Sequence, residues 1–342
     1  MSEATIYDVA ERAGVSHQTV SRFLRGFEGI RPETRAKVER ALAELEYRPN
    51  SAARFLRLGR TNRIGLLADN MHQSGPARTI AGATQAAREL GYVTDIVSMD
   101  GSDESSVSDA LDLVLSQQIA GLVLTAHTAI ARAAIDRGEI EVPVARDFGL
   151  LLDGSDESLN GHAGTVAAEH LLSLGHRVVA YISGPSQWLA SRERLDGFST
   201  SVREGGGRVA ITLDGDWSAE SGFAIGRRLV DEGYISPGGA GSGDGVTAIA
   251  AGNDAMAMGL LAALAQAGIS VPGDVSVMGN DDSPEARFMV PPLSTVGLDF
   301  GSEGALVVRS LIERIENRET DSALHLHVPR LVVRESTASP RA

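Results

Sequence analysis

Thr5-Ile6-Tyr7-Asp8-Val9-Ala10-Glu11-Arg12-Ala13-Gly14-Val15-Ser16-His17-Gln18-Thr19-Val20-Ser21-Arg22-Phe23-Leu24-Arg25 reads as two short helices broken at a glycine. Ile6, Val9, Ala10 and Ala13 recur at helical spacing and give the first helix one apolar face. Thr5 stands at its N-cap with Asp8 three residues on, a capping-box arrangement. Gly14 can take the left-handed conformation that ends a helix, and Ser16 can cap a second helix over 17–25. That helix is expected to turn Val20 and Leu24 inward and His17, Gln18, Ser21, Arg22 and Arg25 outward. Hydrogen-bonding side chains near the front of a short helix held across another are what major-groove reading of DNA requires. A small helical hairpin with a polar second helix would share these features. Pro32 opens a third helix, with Val38, Leu42 and Leu45 on its inner face, and three helices can close a core that two cannot. Arg31 supplies no capping side chain for it.

Charge agrees with this reading. Residues 1–60 hold eleven Lys/Arg and eight Asp/Glu, a net of +3, whereas the whole chain is −14 and the remainder therefore −17. A locally basic end on an acidic protein suits a module that meets phosphate. The excess is small, so affinity is expected to rest on where the arginines sit and on two copies acting together.

A chain of 342 residues exceeds the usual single-core size, so two or three domains are expected. Hydrophobic residues make up 43% and charged residues 22%, as in a soluble globular protein. With no cysteine, disulfides, thiolate nucleophiles and cysteine metal sites are excluded. The N-terminus has no apolar signal core and no stretch is long enough to span a membrane, which leads us to expect a cytoplasmic protein.

Residues 47–60 begin with a turn at Pro49, continue as about two turns of weakly apolar helix and end at Gly59. So short a helix is marginal in water, so it is expected to order only when something docks on it. Ala53 and Leu56 share a face beside Arg54 and Arg57, a pattern with which two copies could push leucines into a minor groove. A plain tether is the competing reading.

From Asn62 onward the chain alternates. Apolar runs of strand length at 64–68, 93–97, 119–124 and 142–145 are separated by segments of helical spacing such as 80–90 and 107–115. A second series follows: strands at 178–182, 209–213, 248–251 and 275–278, with helices over 165–174, 192–203, 219–230 and 254–267. Near-continuous apolar strands alternating with helices indicate parallel, doubly wound sheets, and two series indicate two similar lobes. A ligand cleft beyond the C-terminal strand ends is the default site.

The segments Tyr7-Asp8-Val9-Ala10, Gly14-Val15-Ser16, Thr19-Val20-Ser21-Arg22 and Tyr47-x-Pro49-Asn50 resemble the headpiece and hinge of the lactose-repressor (LacI/GalR) family. His170-Leu171-Leu172-x-Leu174-Gly175-His176, Gly252-Asn253-Asp254-x-Met256-Ala257-x-Gly259, Asn280-Asp281-Asp282 and Pro291-Pro292-Leu293-Ser294-Thr295-Val296 extend the resemblance over nearly the whole chain in the same order. Gly215-Asp216-Trp217-Ser218-Ala219-x-Ser221-Gly222-Phe223 is similar to the family's galactoside-responsive members. The resemblance implies an all-α helix-turn-helix headpiece and an α/β periplasmic-binding-protein-like core of two doubly wound parallel-sheet lobes. The implied division is a headpiece over 1–49 and a hinge helix with linker over 50–60. It continues with a first lobe from 61–159 and 292–322, a second from 160–291 and 323–336, and a tail over 337–342. Residues 293–298 are expected to return the chain to the first lobe and 324–334 to the second.

Roles follow by resemblance. Thr5, Ser16, His17, Gln18, Thr19, Ser21 and Arg22 fall on the DNA-binding surface, with His17, Gln18 and Arg22 reading bases. Asn50, Ala53 and Leu56 belong to the hinge, Leu56 as the minor-groove wedge. Arg194, Asn253 and Asp281 match effector-binding positions, Trp217 an aromatic on which a sugar face stacks, and Asp147 a hydroxyl-binding aspartate at the lobe junction. Carboxylates, an amide and a guanidinium can satisfy sugar hydroxyls while an indole covers the ring. Each also has a plainer use: Asn253 as a helix cap, Asp281 as a cap or ion-pair partner, Trp217 as core.

No histidine pair has metal-ligand spacing, and there is no Gly-x-Ser-x-Gly elbow or Walker loop, so neither catalysis nor a metal or other cofactor is expected. The glycine-rich stretch 237–245 precedes a strand and reads as a surface loop. No leucine heptad follows residue 336, which predicts a homodimer on near-palindromic double-stranded operator DNA and no tetramerising coiled coil. The expected partner of the cleft is a small sugar effector that releases the operator. The same scaffold with a purine corepressor or a non-galactoside sugar is the alternative, and a sugar-binding transport protein or an enzyme on two lobes the third possibility.

Overall fold

The structure, a computed structural model, describes residues 4–24, 27, 29–45, 47, 61–125, 128–138, 140–146, 158–238, 245–317 and 327–341. The chain divides into two compact units, Met1–Thr61 and Asn62–Ala342.

The first unit holds α1 (Ile6–Ala13), α2 (His17–Leu24) and α3 (Pro32–Glu44). Both arms of the Thr5–Asp8 capping box form, with Thr5 N–H donating to Asp8 Oδ2 at 2.7 Å. That hydroxyl and N–H hold the Asp8 carboxyl below the usual carboxylate range. Gly14 ends α1 at φ +66° with nothing near the place of a Cβ, so the backbone conformation alone requires glycine. Ser16 Oγ accepts the Thr19 N–H at 3.2 Å and so caps α2. Val9, Ala10, Ala13, Val20, Val38 and Ala41 form the core, with Phe23, Leu24, Leu42 and Leu45 packed around it. Arg12 bonds Glu44 across α1 and α3 at 2.6 Å.

The second unit holds two sheets. The first is wholly parallel in the order β2-β1-β3-β4, from β1 (Arg63–Ala68), β2 (Val93–Ser98), β3 (Gly121–Leu124) and β4 (Val144–Arg146). Its helices are α4 (Ser74–Glu89), α5 (Glu104–Leu115) and α6 (Ala129–Arg137). The second runs β10-β9-β8-β7-β5-β6, from β5 (Val178–Ser183), β6 (Arg208–Asp214), β7 (Ala248–Ala251), β8 (Ser276–Asp281), β9 (Ser294–Gly297) and β10 (Arg330–Val332). All are parallel except β10, which pairs antiparallel with β9 at the edge. Its helices are α7 (Leu159–Ser173), α8 (Leu189–Glu204), α9 (Ala219–Asp231) and α10 (Asp254–Gln266). The central strands β1, β3, β5, β7 and β8 are buried on both faces, which is why they read as unbroken apolar runs.

The chain then crosses back. α11 (Phe300–Ile315) lays Val307, Val308, Leu311 and Ile312 into the first lobe's core with Ile64, Leu66, Ile80 and Ala83. The expected return at residue 292 is corrected here. β9 pairs in register with β8, Met278 opposite Ser294 and Asp281 opposite Gly297, so these residues still belong to the second lobe. All four β9 residues are buried, Leu293 and Val296 sit in second-lobe cores, and the crossing falls between Gly297 and Phe300. Residues beyond 336, expected as a tail, dock on the second lobe. Thr337 Oγ1 meets His170 Nε2 at 2.9 Å, and His176 Nε2 meets the Ala338 carbonyl at 2.9 Å. Burial holds both imidazoles below the usual histidine range.

Candidate functional site

A cleft between the lobes encloses about 750 Å³ counting its open mouth, a size suited to a small molecule. Its first-lobe wall is Gln73, Gly75, Pro76 and Thr79 at the start of α4, and Thr125 after β3. Leu298, Phe300 and Glu303 enter from the crossover into α11. The second lobe supplies Leu159 and Asn160 from α7, Trp188, Ala190 and Arg194 around the start of α8, and Trp217, Asn253 and Asp281.

Four of the five expected effector residues therefore converge. Arg194, 5% exposed, donates from Nε to Asn160 Oδ1 at 3.0 Å and from Nη1 to the Gly252 carbonyl at 2.6 Å and Asp281 Oδ1 at 3.1 Å. Asp281 ends β8 with φ +114°, and its Oδ1 also accepts from Asn280 Nδ2 at 2.9 Å. Burial pushes its carboxyl up, and Arg194 opposes that shift. All these bonds fall on Asp281 Oδ1 and on Arg194 Nε and Nη1. Asp281 Oδ2 and Arg194 Nη2 make no hydrogen bond to a described residue. The pair thus keeps an acceptor and a two-proton donor unused by the described residues, chemistry that suits hydroxyl groups.

Asn253 serves both readings. Its Oδ1 accepts the Met256 N–H at 2.9 Å and caps α10, its Nδ2 donates to the Trp217 carbonyl at 3.0 Å, and the side chain still lines the cleft. Trp217 also has two roles, packing in the second-lobe core while facing the cleft. Gly184 lies under it, where a Cβ would overlap the indole. The Arg194 guanidinium stands 5.9 Å from the Trp217 ring centroid. Behind the site, Asp254 Oδ1 accepts the Thr295 hydroxyl at 2.6 Å and Oδ2 the Ser283 N–H at 2.7 Å. Burial, with Asp281 adding to it, pushes the Asp254 carboxyl up to about 7. Asp147 lies outside the described residues.

Sequence reasoning missed two prominent lining residues. Trp188, 8% exposed, precedes α8 and forms a backbone bridge to Thr128 of the first lobe. The chain has two tryptophans, and both line the cleft. Glu303 carries a carboxyl into it from α11. Neither lies in a motif that marked it. Their only signals were an aromatic just after a strand end and an acid one turn into a helix.

On the headpiece, His17, Gln18 and Arg22 are exposed along one side of α2. The Tyr7 and His17 rings lie 5.3 Å apart, and the Arg22 guanidinium sits 5.5 Å from the Phe27 ring centroid. Thr5 and Ser16 are exposed and act as caps, and Thr19 is half-buried. Ser21 corrects the outward expectation: it is buried, because it follows Val20 and precedes Leu24 by three residues, so it falls on the inner face. Asn50, Ala53 and Leu56 lie outside the described residues. Among the described residues, no group of three His, Cys, Asp or Glu could hold a metal, and no helix is long and apolar enough to cross a membrane.

Residues 5–50 match the profile of bacterial regulatory proteins, lacI family, and residues 168–337 that of the periplasmic binding protein-like domain. The lactose operon repressor of Escherichia coli (strain K12) is 31% identical over 348 residues, covering 99% of this chain and 92% of the relative. The ribose operon repressor of Haemophilus influenzae is 31% identical over 340 residues, covering 98% of this chain and 99% of the relative. A crystal structure of the lac repressor dimer bound to operator and the anti-inducer ONPF superposes with a TM-score of 0.83 at 30% identity, covering 98% of this chain and all of that one.

Proposed function

The chain belongs to the lacI family of bacterial regulatory proteins, and on that premise we propose that it is a DNA-binding transcriptional repressor released by a small sugar bound between its lobes. The observation that carries the sugar reading is the Arg194–Asp281 pair. Each partner keeps one hydrogen-bonding group unused by the described residues, and the guanidinium stands 5.9 Å from the Trp217 ring centroid, in a cleft walled by both lobes. A neutral sugar offers vicinal hydroxyls and an apolar ring face to that arrangement. A galactoside is favoured by the segment 215–223 and by likeness to the lactose operon repressor. Likeness to a ribose operon repressor at the same identity supports a non-galactoside sugar as the second reading.

His17, Gln18 and Arg22 read operator bases, with Leu56 of the hinge as a minor-groove wedge. The protein acts as a homodimer in the cytoplasm. In support, edge strand β2 exposes Val93 and Ile96, and the loop before β9 exposes Phe288 and Val290, apolar side chains for a second copy to cover. Effector shifts the population of lobe arrangements, and the two headpieces lose the spacing that fits both half-sites. Calorimetry with lactose, allolactose, melibiose, cellobiose, maltose and ribose tests the effector. Saturable binding of one of the galactosides supports the first reading, of ribose, cellobiose or maltose the second, and silence from all six removes the sugar.

A further inference from the structure

Glu303 lies one turn into α11, and its half-buried carboxyl lines the cleft beside Arg194 and Asp281. No described residue gives it a hydrogen bond. Its electrostatic neighbours are Arg194, which favours its charge, and Asp299, which opposes it. Arg194 gives it no hydrogen bond: its Nη1 bonds Asp281 Oδ1 at 3.1 Å and the Gly252 carbonyl at 2.6 Å, its Nε bonds Asn160, and its Nη2 bonds no described residue. Two carboxyls and one guanidinium thus line the cleft, and the remaining polar lining residues (Gln73, Thr79, Thr125, Asn160 and Asn253) are uncharged. Burial is costly for the lone charge and pushes the Glu303 carboxyl up to about 7, so a donor arriving with the ligand is the missing partner.

We propose that Glu303 determines which sugars this cleft accepts: it takes a hydrogen bond from a hydroxyl of a neutral sugar and shuts out sugars that carry a carboxylate or phosphate. The proposal rests on the sugar-effector reading and deepens it. A hydroxyl satisfies the carboxylate with one short bond, whereas a second anion placed against Glu303 and Asp281 is repelled by both.

The test is a set of calorimetric titrations of the full chain at pH 8, where the carboxyl is ionised. The probes are the methyl glycosides of galactose, glucose and ribose, and the methyl glycosides of galacturonic and glucuronic acid. The unaltered protein is expected to bind the neutral member of the galactose or glucose pair at least about 100-fold more tightly than its uronic acid, the cost of a like-charge contact. Glu303→Gln keeps an acceptor and removes the charge, so the ratio should narrow by about tenfold or more, mainly through a gain for the acid. Glu303→Met removes both, so the ratio should narrow while the neutral sugar also weakens. A neutral-to-acid ratio unchanged in both variants overturns the role of Glu303, as does tighter binding of the acid by the unaltered protein, as does ribose being the only ligand. Binding of none of the five while one of the six sugars named above binds overturns this proposal alone, and silence from both sets removes the sugar reading with it.

Discussion

Arg78 of the first lobe donates from Nη1 to the backbone carbonyl of Asp281 in the second at 2.9 Å, and from Nη2 to the carbonyl of Leu298 in the crossover at 3.0 Å. Its guanidinium also stands 5.3 Å from the Phe300 ring centroid. One side chain thus ties α4 to the residue whose carboxyl faces the cleft. Charge-assisted bonds of this kind contribute about 1–3 kcal/mol. Arg78→Gln is expected to lower the unfolding free energy of the two-lobed unit by about that amount in urea titrations, with Arg78→Lys intermediate. An unchanged midpoint would leave Arg78 without a structural role.

Arg194→Ala removes the cation that bonds the buried Asp281 carboxyl. Breaking a buried pair on one side costs about 3–5 kcal/mol. We expect that loss together with loss of measurable effector binding. Adding Asp281→Asn should restore much of the stability and none of the binding. A normal sugar response in the single variant would remove Arg194 from the site.

Gly184→Ala places a methyl group where the Trp217 indole lies. The ring contacts a backbone that cannot retreat, so the indole must move. The expected outcome is a changed tryptophan emission spectrum and an effector affinity at least about tenfold lower, the consequence of a misplaced contact. Emission and affinity both unchanged would show that the cleft tolerates the displacement.

Asp254 holds its proton up to about pH 7, above its ordinary value of 3.8, because it is buried beside Asp281. A carboxyl raised on folding contributes stability that is full below its unfolded value and fades as the pH climbs to the folded one. The unaltered protein should therefore lose stability relative to Asp254→Asn between pH 4 and 7, by at most about 1.4 kcal/mol per pH unit. A stability difference independent of pH, in denaturant titrations across that window, would contradict this.

What the sequence disclosed follows local physics. Thr5, Asp8, Gly14 and Ser16 act through bonds within a few residues, so their caps were legible. The strands β1, β3, β5, β7 and β8 announced themselves because burial on both faces leaves no polar alternation. Arg194, Trp217, Asn253 and Asp281, which line one cleft, were named by resemblance, not by pattern. Ser21 was misplaced because a polar residue was assumed to face outward, although its position beside Val20 and Leu24 turns it in. Helix starts were read late, as at Ser74 and Leu189, because their first turns, 74–77 and 189–192, carry no pair of large apolar residues at helical spacing. Trp188, Glu303 and Arg78 were not legible at all. Each acquires its role from a partner far along the chain: Thr128 for Trp188, Arg194 for Glu303, Asp281 and Leu298 for Arg78. β9 went to the wrong lobe for the same reason, since its register with β8 is a long-range property.

The most direct measurement is a gel-shift titration of the full chain against duplex DNA from upstream of its own coding region, with and without the sugars named above. The account predicts a discrete complex at nanomolar protein, competed poorly by unrelated duplex and dissociated by one sugar. No sequence-selective complex at low salt, with or without any of them, would contradict it.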